Sequence, residues 1–241
     1  MDEEAYAQFV QAESETPEDA HTLVEFRDVR FTYPEGSEEA LAGVSLRIRD
    51  GDFVAILGEN GSGKTTLLLI MAGLLFPQKG EVLFEEKPLT EKTAGERDFS
   101  AWFRRRVGLL FQEPDVQLFS PTVGEDLAFG PRNLGLGDTE ARVERAAALM
   151  GLEGLLERPP HSLSWGQKRR AAMASILAGD HDVLLLDEPL AGLDSRWRER
   201  TMAILAELSA GGKTIVVVAH DDPAIDEMAQ GKMILPGPVE P

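Results

Sequence analysis

The run Gly58-Glu59-Asn60-Gly61-Ser62-Gly63-Lys64-Thr65 constrains this chain more than any other feature. It fits G-x-x-x-x-G-K-[ST], and its context agrees with the pattern: an apolar strand signal, Phe53–Leu57, precedes it and a helix-periodic segment, Thr65–Leu75, follows. The glycines let the backbone curl so that successive N–H groups point inward and form a nest for phosphate oxygens. The helix that follows presents its positive end to the same anion. Lys64 adds a point charge for the β- and γ-phosphates, and the Thr65 hydroxyl is placed to ligate Mg²⁺. The residues expected to hold the nucleotide's phosphates are therefore Asn60, Gly61, Ser62, Gly63, Lys64, Thr65 and Thr66.

Three further continuous apolar runs accompany Phe53–Leu57: Val107–Phe111, Val183–Leu186 and Thr214–Ala219. Runs without alternation predict strands buried on both faces, as in a parallel sheet covered by helices. A separate set, Val24–Tyr33, Val44–Arg49 and Glu81–Phe84, is punctuated by Gly36, Gly43, Asp50-Gly51 and Gly80, which predicts an antiparallel layer. Helical patterns cover Ala141–Met150, Ser164–Ala178 and Arg196–Ser209. Pro114 to Leu177 contains no buried-strand signal, so a helical lobe over about 113–178 is expected between two strands of the sheet.

Composition sets limits on partners. The 241 residues contain no cysteine, which excludes disulfides, thiolate metal sites and cysteine nucleophiles. No apolar run approaches the about twenty residues of a membrane span, and the start Met1-Asp2-Glu3-Glu4 is unlike a secretory signal. A soluble intracellular protein is expected. With 42 acidic against 24 basic residues the net charge is −18, and no basic stripe is present, so no nucleic-acid partner is expected. Arg104-Arg105-Arg106 and Lys168-Arg169-Arg170 read as solvated helix faces or local docking patches. Residues 1–22 hold seven acids and no lysine or arginine, and are expected to be an acidic tail, disordered or a loosely docked helix. The domain proper is expected over 23–236, with 237–241 as a C-terminal tail.

Two strand ends carry chemistry. Val183–Leu186 runs into Asp187-Glu188. A carboxylate at the mouth of a buried strand is poorly solvated unless something neutralises it, and a metal beside a triphosphate would do so. Asp187 is thus the candidate Mg²⁺ carboxylate, and Glu188 the candidate to orient or deprotonate an attacking water. His220 ends the next apolar strand at the same inferred sheet edge, where ligands of open α/β sheets bind, and is a candidate γ-phosphate or water contact.

Taken with Gln112 after the strand Val107–Phe111, with Leu163-Ser164-Trp165-Gly166-Gln167, and with Leu193-Asp194, these motifs resemble the nucleotide-binding subunit of ATP-binding cassette (ABC) transporters over about residues 23–236. The resemblance implies an α/β fold: a P-loop NTPase core of RecA type with an antiparallel β subdomain and an inserted α-helical subdomain. It implies ATP and Mg²⁺ as cofactors, Tyr33 as the aromatic that stacks on adenine, and Gln112 beside the metal and the reacting water. It also implies that Ser164, Gly166 and Gln167 contact the γ-phosphate of ATP held by a second cassette chain, a copy of this one or a paralogue. Asp194 would bridge that interface. Trp165 replaces the first glycine of the family's Leu-Ser-Gly-Gly-Gln segment. Ser164 and Gln167 fit an S-x-x-Q capping box, which puts Trp165 at the first helical position with ordinary negative φ.

A narrower resemblance lies in Phe111-Gln112-Glu113-Pro114-Asp115-Val116-Gln117-Leu118-Phe119-Ser120-Pro121-Thr122-Val123 and Asp126–Pro131. It is similar to the ATPases of energy-coupling-factor (ECF) importers of vitamins or of cobalt and nickel. That implies a subunit on the cytoplasmic face of the membrane, partnered by an integral coupling subunit and a substrate-binding membrane subunit. Apolar Leu118 and Phe119 suit a groove receiving the coupling subunit. Three readings compete with this one: a soluble non-transport cassette, a P-loop kinase or GTPase, and a degenerate regulatory cassette. A single cassette with no heptads disfavours the first, the absence of Asn-Lys-x-Asp the second, and intact Glu188 and His220 the third.

Overall fold

The structure, a computed structural model, describes residues 21–34, 38–220 and 222–236, together with the backbone of 8–11. In chain order the elements are β1 (Gln8–Gln11), β2 (Thr22–Thr32), β3 (Glu39–Arg49), β4 (Phe53–Gly58), α1 (Lys64–Met71), β5 (Lys79–Phe84), β6 (Lys87–Pro88), α2 (Glu91–Gly95) and α3 (Arg97–Arg106). They continue with β7 (Val107–Leu110), α4 (Pro114–Gln117), α5 (Val123–Asn133), α6 (Thr139–Met150), α7 (Trp165–Gly179), β8 (Val183–Asp187), α8 (Ser195–Ala210), β9 (Thr214–Val218), α9 (Pro223–Met228) and β10 (Gly231–Leu235).

Among the described residues, ten strands form two sheets. The larger has the order β1-β10-β4-β9-β8-β7, parallel except for β1, and the smaller is antiparallel, β3-β2-β5-β6. The continuous apolar runs are explained by burial on both faces of the larger sheet. Along β4, Phe53 and Ala55 enter one hydrophobic cluster and Val54 and Ile56 the other. The first cluster joins that sheet to α5, α6, α7 and α8; the second joins it to α1, α3 and the antiparallel sheet. Helix α1 is thereby held between the two sheets, which fixes the loop at its start. Helices α4 to α7 form the lobe between β7 and β8.

Several expectations are corrected. Within the N-terminal segment expected to be disordered or a loosely docked helix, Gln8–Gln11 is instead a strand that pairs antiparallel with β10, covering backbone groups that would otherwise be the open edge of the sheet. The rest of that segment to residue 20, and 237–241, lie outside the described residues. The basic run 168–170 is not a solvated face, because Arg169 and Arg170 are buried and only Lys168, paired with Asp115 at 2.5 Å, reaches the surface. Leu118 is buried in the core rather than lining a groove, whereas Phe119 is exposed. The first helix is shorter than expected, ending at Met71.

Candidate nucleotide site

The carboxyl ends of β4, β9, β8 and β7 lie side by side, so the loop after Gly58, the residues after Val218, the pair Asp187-Glu188 and Gln112 converge at one sheet edge. They line a cavity of about 700 Å³ together with Tyr33, residues 60–66 and His220. Of the candidate residues, Ser164, Gly166, Gln167 and Asp194 do not line it.

The cradle is dictated by close approach. Gly63 has φ +92°, and a Cβ there would sit 2.2 Å from the Ala40 carbonyl oxygen in β3, so no other residue fits. Helix α1 begins at Lys64 with no side-chain cap, which leaves its first N–H groups directed at the cavity. Ser62 Oγ is buried there without a hydrogen-bond partner, as a loop built to receive an anion would have it. The Lys64 ammonium donates to the carbonyls of Gly58 at 2.7 Å and Glu59 at 2.6 Å. Burial pushes its pKa below the usual lysine range, opposed by the charges of Glu188 and Asp187.

Across the cavity, the Thr65 hydroxyl donates to Asp187 Oδ2 at 2.8 Å. Asp187 is buried, and that burial raises its pKa, with the Thr65 bond acting the other way. A hydroxyl and a carboxylate meeting there are hard oxygen donors of the kind Mg²⁺ takes. Among the described residues no group of three or more His, Asp or Glu side chains converges to hold a metal. A two-ligand site completed by phosphate oxygens is the arrangement usual for Mg²⁺ in phosphoryl transfer. The residues present therefore fit the ion.

Glu188 has φ +48°, a left-handed conformation that costs a non-glycine residue about 1–2 kcal/mol. Its N–H donates to the Val218 carbonyl at 2.9 Å, and His220 Nε2 lies 3.4 Å from its Oε1. Tyr33, partly exposed at the cavity mouth, shares a hydrogen bond with the Thr66 hydroxyl at 3.0 Å and packs edge-on against Phe31. Gln112 is exposed at the rim.

Ser164 caps α7: its N–H donates to Gln167 Oε1 at 2.9 Å, and its Oγ accepts from the Gln167 N–H at 3.4 Å. Trp165 follows at the first helical position, 47% exposed. Its indole lies on the backbone of Gly192, where a Cβ would come within 2.3 Å of the ring. Asp194 caps α8 by accepting from the Trp197 N–H at 2.9 Å.

A residue that the sequence did not single out occupies the centre of this arrangement. Arg169 is 1% exposed, and its guanidinium donates to the carbonyls of Phe111 (2.6 Å), Gln112 (2.8 Å), Asp187 and Glu188. Burial lowers its pKa to about 10, against the favourable charges of Asp187 and Glu188. The signal that could have found it is the segment Ala171-Ala172-Met173-Ala174, too small and apolar for a helix with one wet face.

The fold and this edge define a P-loop ATP-binding protein. The match of residues 41–191 to the ABC transporter family model identifies it further, and the chain belongs to that family as an ABC ATPase. It is 45% identical over 201 residues to the energy-coupling factor transporter ATP-binding protein EcfA of Methanocaldococcus jannaschii, covering 83% of this chain and 70% of that one. A putative ABC transporter ATP-binding protein of Geobacter sulfurreducens is 42% identical over 218 residues, covering 90% and 84%. Among solved structures, the dimeric post-hydrolysis state of the ATP-binding cassette MJ0796 bound to ADP and Pi matches with a TM-score of 0.80 at 30% identity, over 88% of this chain and 94% of that one. CbiO1 of Clostridium perfringens, part of the ABC transporter complex CbiONQ, matches with a TM-score of 0.72 at 36% identity, over 89% and 88%.

Proposed function

We propose that this chain is the ATP-hydrolysing subunit of an ECF-type membrane importer, working at the cytoplasmic face of the membrane as one of a pair of cassettes. The observation that carries the pairing is a division of the site. The phosphate cradle, Asp187, Glu188 and His220 share one cavity, whereas the capped start of α7, with Ser164, Gly166 and Gln167, does not line it. A helix start with a polar cap and free N–H groups is suited to a phosphate, and a second chain can bring its phosphate there. The dimeric state of the MJ0796 cassette supports the same reading.

In the pair, residues 60–66 of one chain would grip the phosphates of ATP, Tyr33 would stack on adenine, and Ser164–Gln167 of the other chain would cover the γ-phosphate. Asp194 would bridge the two chains. Thr65 and Asp187, with Gln112 at the rim, would hold Mg²⁺, which when bound neutralises phosphate charge. Glu188 would orient the attacking water and accept its proton, with His220 beside it on the γ-phosphate. Helix charge supplied by the partner resembles the logic of an arginine finger, worth about 10³–10⁵ in turnover, so the monomer is expected to hydrolyse ATP poorly.

Association and dissociation of the pair would rock an integral coupling subunit docked near Phe119 and drive a substrate-binding membrane subunit. The names of the EcfA and CbiO1 relatives, an energy-coupling factor transporter protein and a part of an ABC transporter complex, support assembly into a transporter. The cargo would be a cobalt or nickel ion or a vitamin such as biotin. The test is Glu188→Gln with ATP and Mg²⁺. Turnover is expected to be nearly abolished and light scattering to report a stable ATP-bound dimer. Wild-type turnover, or a chain that stays monomeric with ATP and its membrane partner, would contradict the proposal.

A further inference from the structure

We propose that Arg169 is a positioning residue for hydrolysis, one that locks the start of α7 to the backbone of both Glu188 and Gln112. This inference rests on the role of Glu188 proposed above. Its basis is the geometry of one buried side chain. Four carbonyls from two separate chain segments, Phe111-Gln112 and Asp187-Glu188, accept from the two terminal nitrogens of a single guanidinium. These are the residues that follow β7 and end β8, and both segments belong to the cavity edge.

A planar fork can hold paired carbonyls in a fixed relative position, whereas a lysine ammonium is a single point with no such geometry. The backbone at Glu188 also needs holding. Its φ of +48° is sparsely populated by non-glycine residues, and such conformations persist where the surroundings over-determine them. The Val218 carbonyl fixes the N–H side of Glu188, and Arg169 fixes the carbonyl side. The direction of the Glu188 carboxylate follows from that backbone.

The same helix face supplies a second contact one turn earlier. Trp165, four residues before Arg169, rests on Gly192 in the loop that leads from Glu188 to Asp194. Residues four apart lie on one face of a helix. The segment that would meet the partner's nucleotide is thus joined through α7 to the residues that would act on this chain's own nucleotide. Engagement of Ser164 can thereby be felt at Glu188 without any side chain crossing the cavity.

The experiment compares Arg169→Gln and Arg169→Lys with wild type in the full chain, reading kcat, the KM for ATP and the Kd for ATP by equilibrium titration. Misplacement of a catalytic group by about 1 Å can cost about 10²-fold in rate. Arg169→Gln is expected to lose kcat on that scale with the ATP Kd unchanged, and Arg169→Lys to recover part of it. Should Arg169→Gln fail to fold, Arg169→Lys decides alone: a reduced kcat at unchanged Kd supports the role, and wild-type kcat overturns it. A kcat loss accompanied by an equal weakening of ATP binding would show a merely structural role and overturn it as well. In the Glu188→Gln background, adding Arg169→Gln is expected to leave the ATP-bound dimer intact, because the defect lies in positioning for hydrolysis. Loss of that dimer only in the double variant overturns the positioning role. Absence of the dimer in Glu188→Gln itself counts against the paired-cassette reading, and the kcat and Kd comparison still decides Arg169.

Discussion

Single residues at this site are chosen by contact as much as by chemistry. Gly63 is set by the Ala40 carbonyl, and Thr65 and Asp187 by their shared hydrogen bond. Tyr33 stands at the cavity mouth with its hydroxyl on Thr66, and its ring is free to offer a face to a base. Base–aromatic stacking is worth about 1–3 kcal/mol, so Tyr33→Ala should weaken ATP binding by that amount and leave turnover at saturating ATP little changed. Titration with a fluorescent ATP analogue measures this, and an unchanged Kd would remove Tyr33 from nucleotide recognition. The cradle and Asp187-Glu188 were legible because their chemistry falls at the ends of continuous apolar strands, where a polar group needs a reason to be. Arg169 was not, since a Lys-Arg-Arg run looks solvated until the helix carrying it is known to be packed on all sides. Only a close reading of the small residues after it would have reversed that.

At the scale of elements, α7 links the parts of the site. Its first turn has the Ser164–Gln167 cap and Trp165 on Gly192; one turn on, Arg169 donates to four carbonyls, and Arg170 stacks on Trp197 at 4.0 Å while donating to the carbonyls of Met150 and Gly151. Trp165 in the segment 163–167 is accommodated because the position is an ordinary helical one and Gly192 has no side chain to meet the ring. Ser164→Ala removes the cap acceptor and should cost about 0.5–2 kcal/mol of stability, read as a lower urea midpoint. If Ser164 also meets the partner's γ-phosphate, turnover falls at temperatures where the variant is fully folded, and turnover equal to wild type there would confine Ser164 to capping. Elements with long apolar periods were legible, whereas β10 was not. Gly231–Leu235 is five residues with alternating burial, a pattern shared with many loops, and it becomes a strand through pairing with β4 on one side and β1 on the other.

For the whole molecule, charge and apolar exposure point in the same direction. A chain of net charge −18 is repelled by anionic lipid, which attracts basic segments, so the membrane docking proposed above would rest on a protein partner rather than on lipid charge. Among the described residues no helix is long and apolar enough to cross a membrane. The helical lobe exposes Phe119 at 63% and Phe129 at 49%, edge-to-face at 4.8 Å, and in α4 also Val116 at 62%. Buried Asp126 holds the loop that presents Phe119, accepting from the N–H groups of Phe119 (3.1 Å) and Ser120 (2.9 Å). Paired aromatics left in water on a lobe that follows Gln112 are suited to an apolar helix of a membrane subunit. Phe119→Asp combined with Phe129→Asp changes exposed atoms, and surface substitutions usually shift stability by no more than about 0.5 kcal/mol. ATP turnover of the isolated chain should therefore be retained, while co-purification with the membrane subunits from detergent extract should be lost. Retention of the complex at wild-type level would place the docking face elsewhere on the lobe. Loss of turnover in the isolated chain would mean that the aromatics support the site rather than a partner.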